Sequence, residues 1–129
     1  MSARLTLFLV ALASATAAAA RLDGLLQEYR TAAGPPDAAR GGAAWTQPMP
    51  AADGKTRRCS DCHGNDLTQA GRHLRTGKPI PPLAPSANSN ALSDPAKVEK
   101  WLYRNCRWTW GRECTPGEKA DLVLFLTTQ

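Results

Sequence analysis

Arg58-Cys59-Ser60-Asp61-Cys62-His63-Gly64 is the stretch from which the rest of the chain is read. Two thiols three positions apart, followed at once by an imidazole, make C-x-x-C-H, the attachment signature of c-type haem. The spacing has a mechanical basis: the two thiols can add to the two vinyl groups of one porphyrin while the adjacent histidine is held under the iron as proximal ligand. Other chemistries use the same residue types in other settings. A thiol-disulfide oxidoreductase acting through Cys59 and Cys62 would place them at a helix start after a strand, in a βαβ context, and no strand pattern precedes them. A zinc site would need a second compact ligand pair, whereas the remaining candidates, His73, Cys106 and Cys114, are scattered.

The composition around this motif is that of a domain short of core material. The chain has 129 residues, enough for one small domain, with 43% hydrophobic residues but only four Trp, two Tyr and two Phe. A domain this lean needs a staple, a metal or a cofactor to complete its interior. The length excludes a two-domain enzyme, a repeat array and a multi-span membrane protein, and the hydrophobic content excludes a disordered polycation.

Residues 1–20 read as a secretory signal peptide: Arg4, then the apolar run Leu5 to Ala13, then Ala18-Ala19-Ala20 at the cleavage position. The strongly apolar part is far shorter than the roughly 20 residues that span a bilayer. Cleavage after Ala20, with Ala17 as the alternative, leaves residues 21–129 as a single cytochrome c domain exported to the periplasm. Loss of Arg4 takes the formal net charge from +5 to +4. Outside the cytoplasm such a basic surface suits solubility or an acidic partner protein rather than nucleic acid, and the compartment allows a disulfide to persist.

The mature chain reads as all-α, about four short helices wrapped around one haem with long Pro- and Gly-rich loops. Leu22, Leu25, Leu26 and Tyr29 form one apolar stripe on a helix that Gly34-Pro35-Pro36 ends. Gly34 to Pro50 is read as loop. Four prolines between Gly77 and Asn90 forbid a helix there. Asp94 with Pro95 opens the next helix, whose face is Val98, Trp101, Leu102 and Asn105. Thr115-Pro116-Gly117-Glu118 is a capping box that opens the last helix, running through Leu126.

The second axial ligand is the unusual feature. No methionine follows the motif, since Met1 lies in the signal and Met49 lies upstream. A bis-His arrangement would have to use His73, ten residues after His63 and badly placed to cross the ring; a surface histidine beside Arg72 and Arg75 is the plainer reading. Asn88, Asn90, Asn105, Lys78 or an open position remain. Asn105 stands on the apolar face with Val98 and Trp101, at the helix end and directly before Cys106, where a C-cap role would also account for it.

The run Val98-Glu99-Lys100-Trp101-Leu102-Tyr103-Arg104-Asn105-Cys106-Arg107-Trp108-Thr109-Trp110-Gly111-Arg112-Glu113-Cys114-Thr115-Pro116-Gly117-Glu118, with Arg58 to His63 and the Pro-rich loop before Asn88, resembles the sphaeroides haem protein group of class I cytochromes c over nearly the whole mature chain. In that family a distal asparagine ligates the ferric iron and leaves on reduction, and the freed position binds oxygen and other diatomics. The resemblance implies that Asn105 is this ligand, that Cys106 and Cys114 form the family's disulfide, and that the redox partner is a dihaem cytochrome c.

The chemistry is consistent: an amide oxygen is a hard, weak ligand that suits Fe(III) better than Fe(II). A disulfide closing that loop contributes roughly 2.5 kcal/mol in the chain-entropy account. Trp108 and Trp110, inside the loop, either wall the distal pocket or serve as packing. The expected function is an exported monohaem cytochrome that carries electrons and binds O2 or NO when ferrous. Conversion of O2 or NO is left open, and no catalytic residue is assigned. Two alternatives stand beside this: a permanently six-coordinate bis-His carrier using His73, and a non-haem thiol oxidoreductase using Cys59 and Cys62.

Overall fold

The computed structural model describes residues 21–129; the expected signal peptide and its cleavage site lie outside the described residues. Five helices follow one another: α1 over residues 21–33, α2 (Ala38–Thr46), α3 (Cys59–His63), α4 (Pro95–Trp110) and α5 (Pro116–Thr127). Two minimal antiparallel ladders join them. β1 (Met49–Pro50) pairs with β2 (Thr56–Arg57), Met49 opposite Arg57, and β3 (Gly71–Arg72) pairs with β4 (Pro79–Ile80), Gly71 opposite Ile80.

The all-α reading holds, but α2 occupies part of the segment expected to be loop. Its start is set by Asp37, whose Oδ1 accepts from the Ala39 N–H at 2.7 Å. Its glycines, which read as loop signals, serve a close helix crossing instead. Gly41 is buried against α5, and a Cβ there would lie 2.1 Å from the Asp121 carbonyl oxygen. Asp121, itself buried, locks the crossing: Oδ1 accepts from the Asp37 N–H at 2.6 Å and Oδ2 from Arg40 Nε at 2.8 Å.

α4 also differs from expectation. It runs on to Trp110 and stops at Gly111, whose left-handed backbone (φ 67°) makes the C-cap. Asn105 therefore stands inside the helix rather than at its end, and capping does not account for it. Nothing in Cys106-Arg107-Trp108-Thr109-Trp110 breaks a helix, so the first glycine decides where it ends. At α5 the capping box forms as read, Thr115 Oγ1 accepting from the Glu118 N–H at 3.2 Å and Glu118 Oε2 accepting from the Thr115 N–H at 2.9 Å.

Two apolar clusters hold these elements. Leu25, Tyr29, Val98, Ala120 and Val123 fasten α1 to α4 and α5. There the Tyr29 hydroxyl donates to Glu99, which Lys119 Nζ meets at 3.0 Å. Trp45, Leu67, Ala84, Cys106, Trp110, Cys114, Leu122 and Leu126 make the second cluster and join α2 to the ends of α4 and α5.

Candidate haem site

α3 contains the whole C-x-x-C-H motif, and none of its residues is buried. Its geometry is set by directional contacts. The Asp61 carboxylate accepts from the Arg58 N–H at 2.8 Å, closing the first turn, and the Gly64 N–H donates to the Ser60 carbonyl at 2.8 Å, closing the last. From α2, Trp45 lays its ring 5.4 Å from the His63 ring, centre to centre, and its indole N–H donates to the Gly64 carbonyl at 3.0 Å. From the other direction β3 comes so near that a Cβ on Gly71 would lie 2.3 Å from the Cys62 carbonyl oxygen. The Leu74 N–H then donates to Cys62 Sγ at 3.4 Å.

This environment shifts the protonation of the donors. Partial burial holds the His63 imidazole below the usual histidine range, with the charge of nearby His73 adding to the effect, which favours the neutral ring that binds a metal. Burial pushes the Cys59 thiol up to about 11, Asp61 and Cys62 acting in the same direction. Both cysteines are unbridged.

On α4, Trp101, Asn105 and Trp108 follow at i, i+4 and i+7 and so share one stripe. Trp101 is 53% exposed, Asn105 is exposed and Trp108 is half-buried. This stripe meets the motif's neighbourhood through Trp108, whose ring centre lies 5.9 Å from that of His73 and 3.9 Å from the Arg57 guanidinium. Trp110 belongs to the core instead, beside Cys106 and Cys114, whose sulfurs lie side by side with the Cα atoms 5.6 Å apart. Of the two roles considered for these tryptophans, Trp110 takes packing.

Two of the other ligand candidates, His73 and Asn88, are engaged locally. His73 Nδ1 accepts from the Arg75 and Thr76 N–H groups at 3.2 and 3.3 Å. The Asn88 amide donates to the Pro82 carbonyl at 2.9 Å and accepts from the Asn90 N–H at 3.1 Å. The Asn105 amide has no hydrogen bond to another described side chain or backbone group.

Two unbridged thiols, an imidazole held below the usual histidine range and an unengaged amide, with exposed Trp101 (53%) on the amide's own stripe, fit a porphyrin that needs two thioether links and apolar cover. Among the described residues no three His, Cys, Asp or Glu side chains assemble into a metal-holding group, which leaves a zinc site without its ligands. Sequence reading missed Trp45, Gly71 and Leu74 as parts of this site. Trp45 carried a signal, being the one aromatic residue between Tyr29 and Trp101; the other two had none.

The family described as "Domain of unknown function (DUF1924)" matches residues 31–126. The cytochrome c-type protein SHP of Cereibacter sphaeroides is 51% identical over 106 residues, 81% of each chain. The chain belongs to the sphaeroides haem protein family. The structure of oxidized SHP, an oxygen-binding cytochrome c, superposes with a TM-score of 0.75 at 46% identity, covering 84% of this chain and 96% of that one. Oxidized cytochrome c'' from Methylophilus methylotrophus follows with a TM-score of 0.73 at 30% identity, covering 84% and 94%. Like these sphaeroides haem protein relatives, the chain is a class I, all-helical, monohaem cytochrome c with one covalently bound haem c. No described helix is long and apolar enough to cross a membrane.

Proposed function

We propose that this cytochrome is exported to the periplasm, carries electrons, and exchanges its distal ligand for a diatomic gas according to the oxidation state of the iron. Cys59 and Cys62 hold the haem through thioether bonds, His63 is the proximal ligand, and Asn105 is the distal ligand of the ferric state. When bound, the haem supplies an iron that takes up and gives up one electron and, when ferrous, has affinity for O2, NO and CO.

The chain's own residues do the rest. Trp45 and the Gly64 carbonyl keep the imidazole in place. Asn105 offers an amide oxygen that holds Fe(III) and releases Fe(II), because a hard oxygen donor loses most when the metal's charge falls. A Cys106–Cys114 disulfide braces the helix that carries it. The electron donor is a dihaem cytochrome c.

The observation that carries this reading is the state of Asn105: inside α4, on an exposed stripe, with its amide unengaged. The same geometry weighs against the alternatives. His73 already spends Nδ1 on the turn that follows it. A thiol pushed up to about 11 is the opposite of the readily formed thiolate that disulfide exchange uses.

The test is the absorption spectrum of the reduced protein with and without carbon monoxide. The Soret band is expected to shift on addition of the gas, and an unchanged low-spin spectrum refutes ligand release. In the ferric state Asn105→Ala is expected to turn the spectrum from low-spin to high-spin; no change there would clear Asn105 of the role.

A further inference from the structure

We propose that the tip of the β3–β4 hairpin, from His73 to Lys78, is the docking surface for an acidic face of the electron-donating partner protein, a proposal that rests on Cys62 being a point of haem attachment. Charge comes first. From Leu67 to Ser93 the chain has no acidic residue, while Arg72, Arg75 and Lys78 all fall on the hairpin. Elsewhere Arg40, Arg57, Arg107, Arg112 and Lys119 are each matched with a carboxylate, and other cations such as Arg30, Lys55, Arg58, Lys97 and Lys100, though without an ion pair among the described residues, lie within three residues of an acidic one. The three hairpin cations have no such partner among the described residues, and all three are exposed. Their field therefore points outward, free to meet carboxylates on another molecule.

Position comes second. Leu74, at the middle of the tip, is 55% exposed, and its N–H donates to Cys62 Sγ at 3.4 Å. The backbone of an apolar residue rimmed by cations thus touches the sulfur that would carry the porphyrin, while its side chain stays exposed, the arrangement of a small interface whose core excludes water and whose rim selects the partner. The tip is also preformed: Arg72 Nη1 donates to the Gly77 carbonyl at 2.7 Å and the Gly77 N–H to the His73 carbonyl at 2.9 Å. The contact would pass one electron from the donor to the bound haem; no covalent bond changes, and the Asn105 amide would be released as the proposed function requires.

The haem-loaded protein, reduced under argon, is mixed with ferricyanide, an anionic oxidant, and separately with tris(phenanthroline)cobalt(III), a cationic one. At an ionic strength of 0.1 M charges beyond about 10 Å are largely screened, so the rates report the charge at the point of contact. Arg75→Glu with Lys78→Glu is compared with Arg21→Glu with Arg30→Glu on α1, which changes the net charge equally. The hairpin pair is expected to slow oxidation by ferricyanide about tenfold and to speed oxidation by the cobalt complex, while the α1 pair alters either rate by less than about twofold. Equal effects from the two pairs, or none from the hairpin pair, overturn the docking surface.

Arg75→Gln with Lys78→Gln gives the same signs at smaller size and serves if the glutamate pair does not fold. A pyridine haemochrome spectrum of each sample separates the two levels of failure. A c-type spectrum with unchanged rates removes the docking surface alone. The lack of that spectrum in the unaltered protein removes the haem attachment it rests on, and the docking surface with it.

Discussion

α3, which carries the C-x-x-C-H motif, and α4, which carries Asn105, are held by different forces. α3 has five residues and buries none of them; α4 has sixteen and buries Val98, Cys106, Thr109 and Trp110. Each large apolar side chain in such a core contributes on the order of 1.5–3 kcal/mol, so α4 is fixed by packing. α3 is fixed by contacts to Gly64, Gly71 and Trp45 and, once loaded, by covalent bonds. Movement is therefore cheap in different places. In the proposed roles His63 is tied to its own attachment one residue away, whereas Asn105 is exposed on α4 and would change partners while the buried face holds the helix in place.

The comparison breaks most severely if Cys59→Ala with Cys62→Ala keeps its haem under denaturing conditions; complete loss of covalent haem on a haem-stained gel is expected. Within α4 the contrast is quantitative. Trp110→Ala is expected to destabilise by about 3–5 kcal/mol in urea unfolding, against about 0.5 kcal/mol or less for Asn105→Ala, and comparable losses would erase the division between packing face and ligand face. Replacing Cys106 and Cys114 together by Ala is expected to cost about 2.5 kcal/mol, measured as the difference between urea midpoints of the two proteins. The smallest effect is electrostatic. Arg112, with Nη1 and Nη2 each 2.8 Å from Glu118, holds the Glu118 carboxyl below the usual range. Because the folded value is the lower one, this pair stabilises above the ordinary glutamate range and its contribution fades as pH falls through that range and below. Arg112→Gln is therefore expected to flatten the acid limb of a stability-versus-pH curve and to leave the neutral limb with only a small offset.

The motif, the apolar stripe of α1 and the capping signals of α4 and α5 were legible because each is local: one residue type at one spacing decides it. α2 was not, because Gly41 and Gly42 argue for loop until α5 is laid across them, and only Asp37 before Ala38 marked a start. α4 runs five residues past Asn105, to the stop at Gly111, because no residue between them breaks a helix. Asn105 stands out in the sequence by its place on a helix face with Val98 and Trp101, but only the family resemblance assigns it to the iron, since one asparagine on a helix looks like any other. The Leu74 contact to Cys62 depends on how a hairpin folds back, which no periodicity records.

The close passage of α2 over α5 at Gly41 reaches further than packing. α2 also delivers Trp45 to the His63 ring, and Trp45 stands 5.9 Å from Phe125 of α5, centre to centre. The spacing of two helices in this way sets where the indole stands against the imidazole. A single methyl group at residue 41, four residues from Trp45, would shift that indole, and with His63 in its proposed role the shift would register in the absorption of the haem.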